Sequence, residues 1–504
     1  MLVKARRRIT LDKLHKWAGL VAALWLLVLA ITGAMQLNRQ QWRWQWTSGP
    51  ALDESIAAHD DKYLWRHHQV NPDLPNIRVA SGAAGAFLTR DSGKSWTPLP
   101  FGNEIVRNVA VLEPAGSGSA WTVYAGTDDG VWRLDTASAK FVPEGLQGQS
   151  VNSLSLGAER MVAAVNMSQL LERSIDSQGK SWAPVHLAPL PPDAGASAVD
   201  LGRWLQDIHL GRGLFGGIID WALWNAVAAG LVVMSLTGIA YWAIMRWCNQ
   251  ARQKPKPERP SSNVLRYAQK PIQWSFRIHA MIIGVALAVP LLLVFLTGIY
   301  QNHRGDVQMM FRKINVPASI LPPAYRGDSW RGQVMNVALI EDPRGEALVV
   351  GNRRGIFASS DLGQSWTRDA GFKGPAMRIR KISGKLYVPG RMMRRVQVRE
   401  NGVWRELAVP KPVVMVNEMS AGPGGTIWWT RGNTIFRTST TGQMRGKEHN
   451  VLPKIGYLPW ASFAAELHEG TLIWKHWKWI NDVFALLGLM LVVTGFLRWR
   501  KRRW

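Results

Sequence analysis

Predominantly apolar stretches of about 20 residues, the length an α-helix needs to cross a hydrocarbon core of about 30 Å, recur four times, at 17–37, 221–245, 277–301 and 479–499. Between the first and second, and again between the third and fourth, the pattern changes. Short runs of small and β-branched residues are broken there by Gly turns, which predicts strands. The expected architecture is a four-span α-helical membrane bundle carrying two all-β regions, 40–215 and 303–475, with a linker at 246–276 and end segments at 1–16 and 500–504. Each half reads span, β region, span, so the bundle is expected to be duplicated about a pseudo-two-fold axis.

Charge gives the orientation. Lys4, Arg6, Arg7, Arg8, Lys13 and Lys16 precede the first span, Arg252, Lys254, Lys256, Arg259, Arg266 and Lys270 join the second to the third, and Arg500, Lys501, Arg502 and Arg503 follow the fourth. Such side chains resist translocation, which predicts both termini and the linker in the cytoplasm and both β regions outside. In a bacterial inner membrane that outer side is the periplasm. Trp42, Trp44, Trp46, Trp221, Trp474, Trp477 and Trp479 collect at the outer boundary, where amphipathic rings sit at headgroup level. The first stretch is too long for the apolar core of a signal peptide and no small-residue cleavage site follows, so it is read as an uncleaved anchor. Composition adds three exclusions. With 47% hydrophobic residues and 27 Trp the chain is not disordered over most of its length; one Cys forms no internal bridge; and a mean hydropathy of −0.08 requires substantial water-facing domains.

The β regions share a short repeat. Thr89-x-Asp91-x-Gly93-x-x-Trp96 in the first matches Ser359-x-Asp361-x-Gly363-x-x-Trp366 in the second, with a looser copy at Ser174, Asp176, Gly179 and Trp182. The repeat resembles the Asp-box of sialidase-like and photosystem-assembly-type β-propellers. It is a turn device rather than a catalytic one, since its Asp and Ser satisfy local backbone groups. About three blade-like units are expected per half, in one ring or two partial ones. Over 303–475 there are 26 Lys+Arg against 13 Asp+Glu. This surplus, with the run Arg391, Arg394 and Arg395, predicts docking of an anionic ligand. No nucleic-acid partner is expected, because no recognition motif accompanies the charge.

The candidate chemistry lies in histidines at the span ends. A boundary ionisable residue is a functional candidate by default, and imidazole is a common axial ligand of haem iron in helical bundles. About 20 helical residues rise about 30 Å, so ligands must pair by side. His15 with His279 could hold an inner haem and His209 with His468 an outer one, while His303 and His476 compete for the outer role. Every span also carries a Thr-Gly pair near one end: Thr32-Gly33, Thr237-Gly238, Thr297-Gly298 and Thr494-Gly495. Gly at matching depth permits close approach of a backbone or a flat cofactor. No GxSxG, HExxH, P-loop or CxxC motif is present, which weakens hydrolase, zinc and thiol-redox readings.

Leu14-His15-Lys16-Trp17-Ala18-Gly19, the Thr-Gly pairs, and Ile208-His209-Leu210-Gly211-Arg212-Gly213-Leu214-Phe215-Gly216-Gly217 resemble PepSY-associated transmembrane proteins. That resemblance implies two b-type haems, with His15, His209, His279 and His468 at the positions matching the family pattern. It further implies an inner-membrane reductase passing electrons from a cytoplasmic or membrane donor to a periplasmic ferric siderophore. Asp-box blades stand where the usual PepSY modules would be, and the second half has a poorer copy, His468-Glu469-Gly470. The alternative expectation is a haem-free, membrane-anchored β-propeller that binds a peptide or protein.

Overall fold

The computed structural model describes residues 11–502 except 40, 43, 45–47, 52–64, 104–107, 176–180, 192–198, several positions between 256 and 273, 326–328, 343–344, 390–394, 410–417, 432–433, 450 and 454–456. Asp176 and Gly179 of the looser repeat, and Arg391 and Arg394, lie outside the described residues. The chain divides into two compact units, a helical one (residues 1–38, 198–325 and 464–504) and a β one (39–197 and 326–463).

The helical unit contains α1 (Leu11–Leu37), α2 (Leu201–His209), α3 (Gly217–Gln253), α4 (Ala288–Asn302), α5 (Arg304–Phe311), the second half of α6 (Trp460–Glu469) and α7 (Lys478–Arg502). Among the described residues three helices, Lys13–Leu37, Gly217–Gln253 and Lys478–Arg500, are long and apolar enough to cross a membrane. The stretch expected as one span at 277–301 is instead two pieces, Trp274–Ala286 and Ala288–Asn302, bent by 69°. The cause is local. Pro290 has no N–H to donate to Ala286 and its ring crowds that carbonyl, and Leu287 leaves helical geometry at φ −101°, ψ 8°. Below the break the backbone is π-helical over Arg277–Ile283.

Within this unit α1 packs on α3 and α7, α7 packs on α4, and α2 packs on α4. Ala22, Leu26, Trp224, Leu231, Leu291 and Phe295 form the core between them. The expectation of an all-β segment up to residue 215 gives way at α2: Asp200 caps it by accepting from the Arg203 N–H at 2.8 Å, which starts a helix where two apolar strand residues would otherwise continue. Helices α5 and α6 likewise interrupt the second region assigned to strands.

Among the described residues the β unit holds six four-stranded antiparallel sheets, each a consecutive meander. Their opening strands are β1 (Trp65–Val70), β2 (Val109–Ala115), β3 (Val151–Leu156), β4 (Asn336–Asp342), β5 (Arg380–Ile382) and β6 (Glu418–Gly422). Each opening strand packs on the next and β1 packs on β6, so the sheets form a single propeller-like ring, three from each half of the chain. Large buried side chains fill the gaps between sheets, as with Trp330, Phe357 and Trp366 between the third and fourth. Alternation of buried and outward positions along the strands produces these faces.

Both intact Asp-boxes fold as turns. Thr89 donates to Asp91 at 2.7 Å and receives the Gly93 N–H at 2.9 Å, while Asp91 accepts the Ser95 N–H at 2.9 Å. Ser359, Asp361, Gly363 and Ser365 repeat the pattern. These donors hold the Asp91 carboxyl well below its ordinary range, and that of Asp361 at about 2. Gly93 and Gly363 sit at φ +93° and +94°, the left-handed region that disfavours side chains.

Candidate functional site

Each of the four Thr residues gives its hydroxyl proton to its own helix: Thr32 to the Val28 carbonyl at 2.7 Å, Thr237 to Val233 at 2.6 Å, Thr297 to Leu293 at 2.6 Å and Thr494 to Met490 at 2.7 Å. A hydroxyl has one proton, so the oxygen is left as an acceptor. Facing it in every case is a histidine Nδ1: His468 on Thr32 at 2.9 Å, His279 on Thr237 at 3.1 Å, His209 on Thr297 at 3.3 Å and His15 on Thr494 at 2.7 Å. With Nδ1 protonated, each ring donates to that oxygen and Nε2 keeps its lone pair.

The glycine after each Thr completes the seat. A Cβ built on Gly33 would lie 3.4 Å from Cε1 of His468, on Gly238 3.5 Å from His279, on Gly298 3.5 Å from His209 and on Gly495 3.3 Å from His15. Each imidazole thus lies against a helix backbone that presents no side chain. The four histidines singled out in the sequence occupy equivalent seats, two toward one end of the bundle and two toward the other. The recurrence of Thr before every one of the four glycines is plain in the sequence; what it did not disclose is that the hydroxyl, and not only the small size of Gly, holds the imidazole.

The rings of His15 and His279 have centroids 6.4 Å apart. Two imidazoles on opposite sides of one metal, each with a metal–nitrogen bond of about 2 Å, place their centroids about 6 Å apart. The observed spacing is close to that value, with the two ring planes 81° apart. The other two histidines reach their seats from flanking helices: His209 ends α2, and the carbonyls of His468 and Glu469 both accept from Asn481 Nδ2 at 3.2 Å. Asn481 in turn accepts from the Trp25 indole at 2.7 Å, a hydrogen bond between α7 and α1 that holds the end of α6. Asn225, its counterpart in the first half, bonds Asn38 at 2.8 Å.

His303 and His476 have other surroundings. His303 Nε2 meets Asp482 at 2.5 Å, its Nδ1 is 3.6 Å from Asp306, and its ring lies on Trp479 at 4.5 Å. His476 lies at the edge of Trp474, 5.3 Å away. Neither is seated on a Thr-Gly pair. Arg395 begins a strand, Arg395–Glu400, in the fifth sheet.

The β unit contains a polar centre that sequence reasoning did not find. A cavity of about 210 Å³ at the opening strands is lined by Gln69, Glu113, Arg380, Lys381 and Ser420 among others. Arg380 is paired bidentately with buried Glu418 at 2.6 and 2.5 Å, and Glu418 is 3.1 Å from His67 Nδ1. Burial pushes Glu113 up to about 7 and, against the pull of Glu418, lowers His67 to about 4. Its neighbour His68 is stacked on Trp428 at 5.4 Å and lowered by burial to about 3.

The model of the PepSY-associated TM region matches residues 13–502. The chain belongs to that family. It is a membrane protein by that membership and by its apolar helices. None of the curated proteins matches it in sequence. Among solved structures it is similar to PorZ, a bacterial surface component of the type-IX secretion system of Porphyromonas gingivalis, at 9% identity over 80% of this chain and 34% of that one, with a TM-score of 0.35. It is also similar to YCF48 bound to D1 peptide, at 10% identity over 77% and 69% with a TM-score of 0.26, and to the computationally designed Ika8 protein, at 9% over 78% and 76% with a TM-score of 0.31. The chain thus spans about a third of PorZ.

Proposed function

We propose that this PepSY-associated protein is a haem-containing reductase of the bacterial inner membrane, delivering electrons from a cytoplasmic or membrane donor to a periplasmic ferric siderophore or similar anionic metal chelate. The reading takes the bent pair as the third of four spans, both termini as cytoplasmic, and the bundle as duplicated about a pseudo-two-fold axis that exchanges His15 with His279 and His209 with His468. One observation carries it: four imidazoles, each docked through Nδ1 on a Thr-Gly seat, with the His15 and His279 centroids 6.4 Å apart.

A bound b-type haem supplies reversible one-electron transfer. The rest falls to the chain. Thr237 and Thr494 fix the tautomer and ring plane of His279 and His15, and by accepting the Nδ1 proton they make Nε2 a better donor to metal. Thr32 and Thr297 do the same for His468 and His209. Continuous α1 separates His15 from Thr32 by 17 residues, about 25 Å along the axis, so two sites near opposite faces of a bilayer follow from one helix. Ala22, Leu26, Leu231, Leu291 and Phe295 keep water from the space between. On the outer side the cationic excess of 303–475 draws in an anionic chelate.

A second reading, a haem-free anchored propeller that captures a ligand, is favoured by the polar cavity at the ring's opening strands. The visible spectrum of the detergent-purified chain separates the two. A Soret band that sharpens and shifts with dithionite supports the reductase. A colourless, fully folded preparation leaves only the binding protein.

A further inference from the structure

Beyond Thr297, which seats His209, the chain buries a hydroxyl and a guanidinium nitrogen that have no hydrogen-bond partner in the protein. Tyr300, one turn beyond Thr297 on α4, is 7% exposed, and its hydroxyl has no hydrogen-bond partner. It faces α2, where a Cβ on Gly202 would lie 2.7 Å from its oxygen. Arg304, one turn further and at the start of α5, has a buried Nε that is also without a partner. Arg312, just past the end of α5, has a neutral amide within reach: with the Gln308 side chain turned so that its oxygen faces Arg312, that oxygen accepts at 2.8 and 3.0 Å.

The neighbouring carboxylates are already engaged. Asp207 takes Arg212 at 2.8 Å, Arg203 at 3.7 Å and the Tyr325 hydroxyl at 2.9 Å, and Asp200 caps α2. Arg203, Arg212, Arg304 and Arg312 thus gather around two aspartates. Burial, reinforced by Arg312 and Arg212, holds the Arg304 guanidinium below its usual range. A guanidinium nitrogen buried without an acceptor is costly, and an oxyanion beside it restores the balance.

We infer that Tyr300, Arg304 and Arg312 anchor the carboxylates of the haem ligated by His209, an inference that rests on the haem reading above. Two features select a carboxylate on that haem over a soluble anion. The groups lie on the same helical run as Thr297, which seats His209, and a porphyrin ligated there carries its acid side chains outward from the ring. An arginine supplies planar paired donors to such a group, and the tyrosine adds a third.

The test uses the full chain in detergent with Arg304→Gln, Arg304→Lys and Tyr300→Phe. The outer centre is identified as the one lost in His209→Ala. Removing a cation stabilises the ferric form, so at the wild-type midpoint the oxidised-to-reduced ratio of the outer haem rises about threefold or more in Arg304→Gln, with the inner centre unmoved. Haem transfer from the outer site to apomyoglobin speeds by a similar factor, and Arg304→Lys restores most of the midpoint. Tyr300→Phe speeds transfer with little change of midpoint.

An outer centre unchanged in both measurements overturns the inference while leaving the haem reading intact. So does an equal shift of both centres. If Arg304→Gln instead strips phospholipid phosphate from the purified protein without touching the outer haem, the anion is a lipid headgroup and the inference is wrong. A colourless wild-type protein ends both.

Discussion

At Thr494 the hydroxyl does two things, donating to Met490 and accepting from His15. Thr494→Val removes both while keeping the shape. We expect His15 to lose its fixed tautomer, at a cost of about 1 kcal/mol for the imidazole contact. If the proposed inner haem is bound, its occupancy in the visible spectrum of purified protein should fall, with Thr494→Ser close to wild type. An unchanged spectrum in the valine variant would count against the seat. In the β unit His68 is neutral when folded, with a pKa near 3 against 6.5 unfolded. The stability it contributes is complete above pH 6.5 and is lost as pH falls toward 3, roughly 3 kcal/mol between pH 6.5 and 4. His67, at about 4, acts in the same direction, whereas Glu113, raised to about 7, favours the fold at lower pH. His68→Phe keeps the ring on Trp428 and should flatten the acid side of a plot of melting temperature against pH. A variant as acid-sensitive as wild type would refute the assignment.

Among the elements, the Asp-box turns were the parts most legible in the sequence, and the bend was the least. The Asp-box spacing specified hydroxyl, carboxylate, left-handed Gly and Trp in order, and all four take those places. Gly363→Ala tests how much the turn matters. A Cβ there would lie 1.9 Å from the His186 carbonyl oxygen on a backbone at φ +94°, so a loss of roughly 1–3 kcal/mol is expected in thermal unfolding. Hydropathy, by contrast, averages over a window and reads 277–301 as one rod. Pro290 was visible there, but Pro within an apolar helix kinks it only as far as neighbouring helices allow, and those contacts are not local in sequence. Helix α2 was hidden for a related reason: nine residues between a strand and a span carry too little period to stand out, and only the Asp200 cap betrays the start. The four seat histidines were found from position and symmetry, while their Thr partners, more than 40 residues away in each case, were recognised only as neighbours of glycine.

At the scale of the molecule, the β ring is shared between halves that are far apart in sequence, since β3 meets β4 and β6 meets β1. Neither set of three sheets has a complete core, because clusters such as that joining Val162, Leu170, Val337 and Leu348 draw on both. Residues 40–215 expressed alone should therefore lack the near-ultraviolet circular dichroism and cooperative melting of the whole ring, and co-expression with 303–475 should restore them. A first half that melts cooperatively by itself would contradict this.

The two helical passages that fall between the third and fourth sheets give this arrangement a temporal side. A ribosome must finish the first three blades, then the intervening helices, before it begins the fourth. For that interval the nascent protein displays two raw flanks, at β1 and β3, whose mates have not been made. Folding factors would meet it in that open state, and slow translation across the intervening helices would lengthen the exposure.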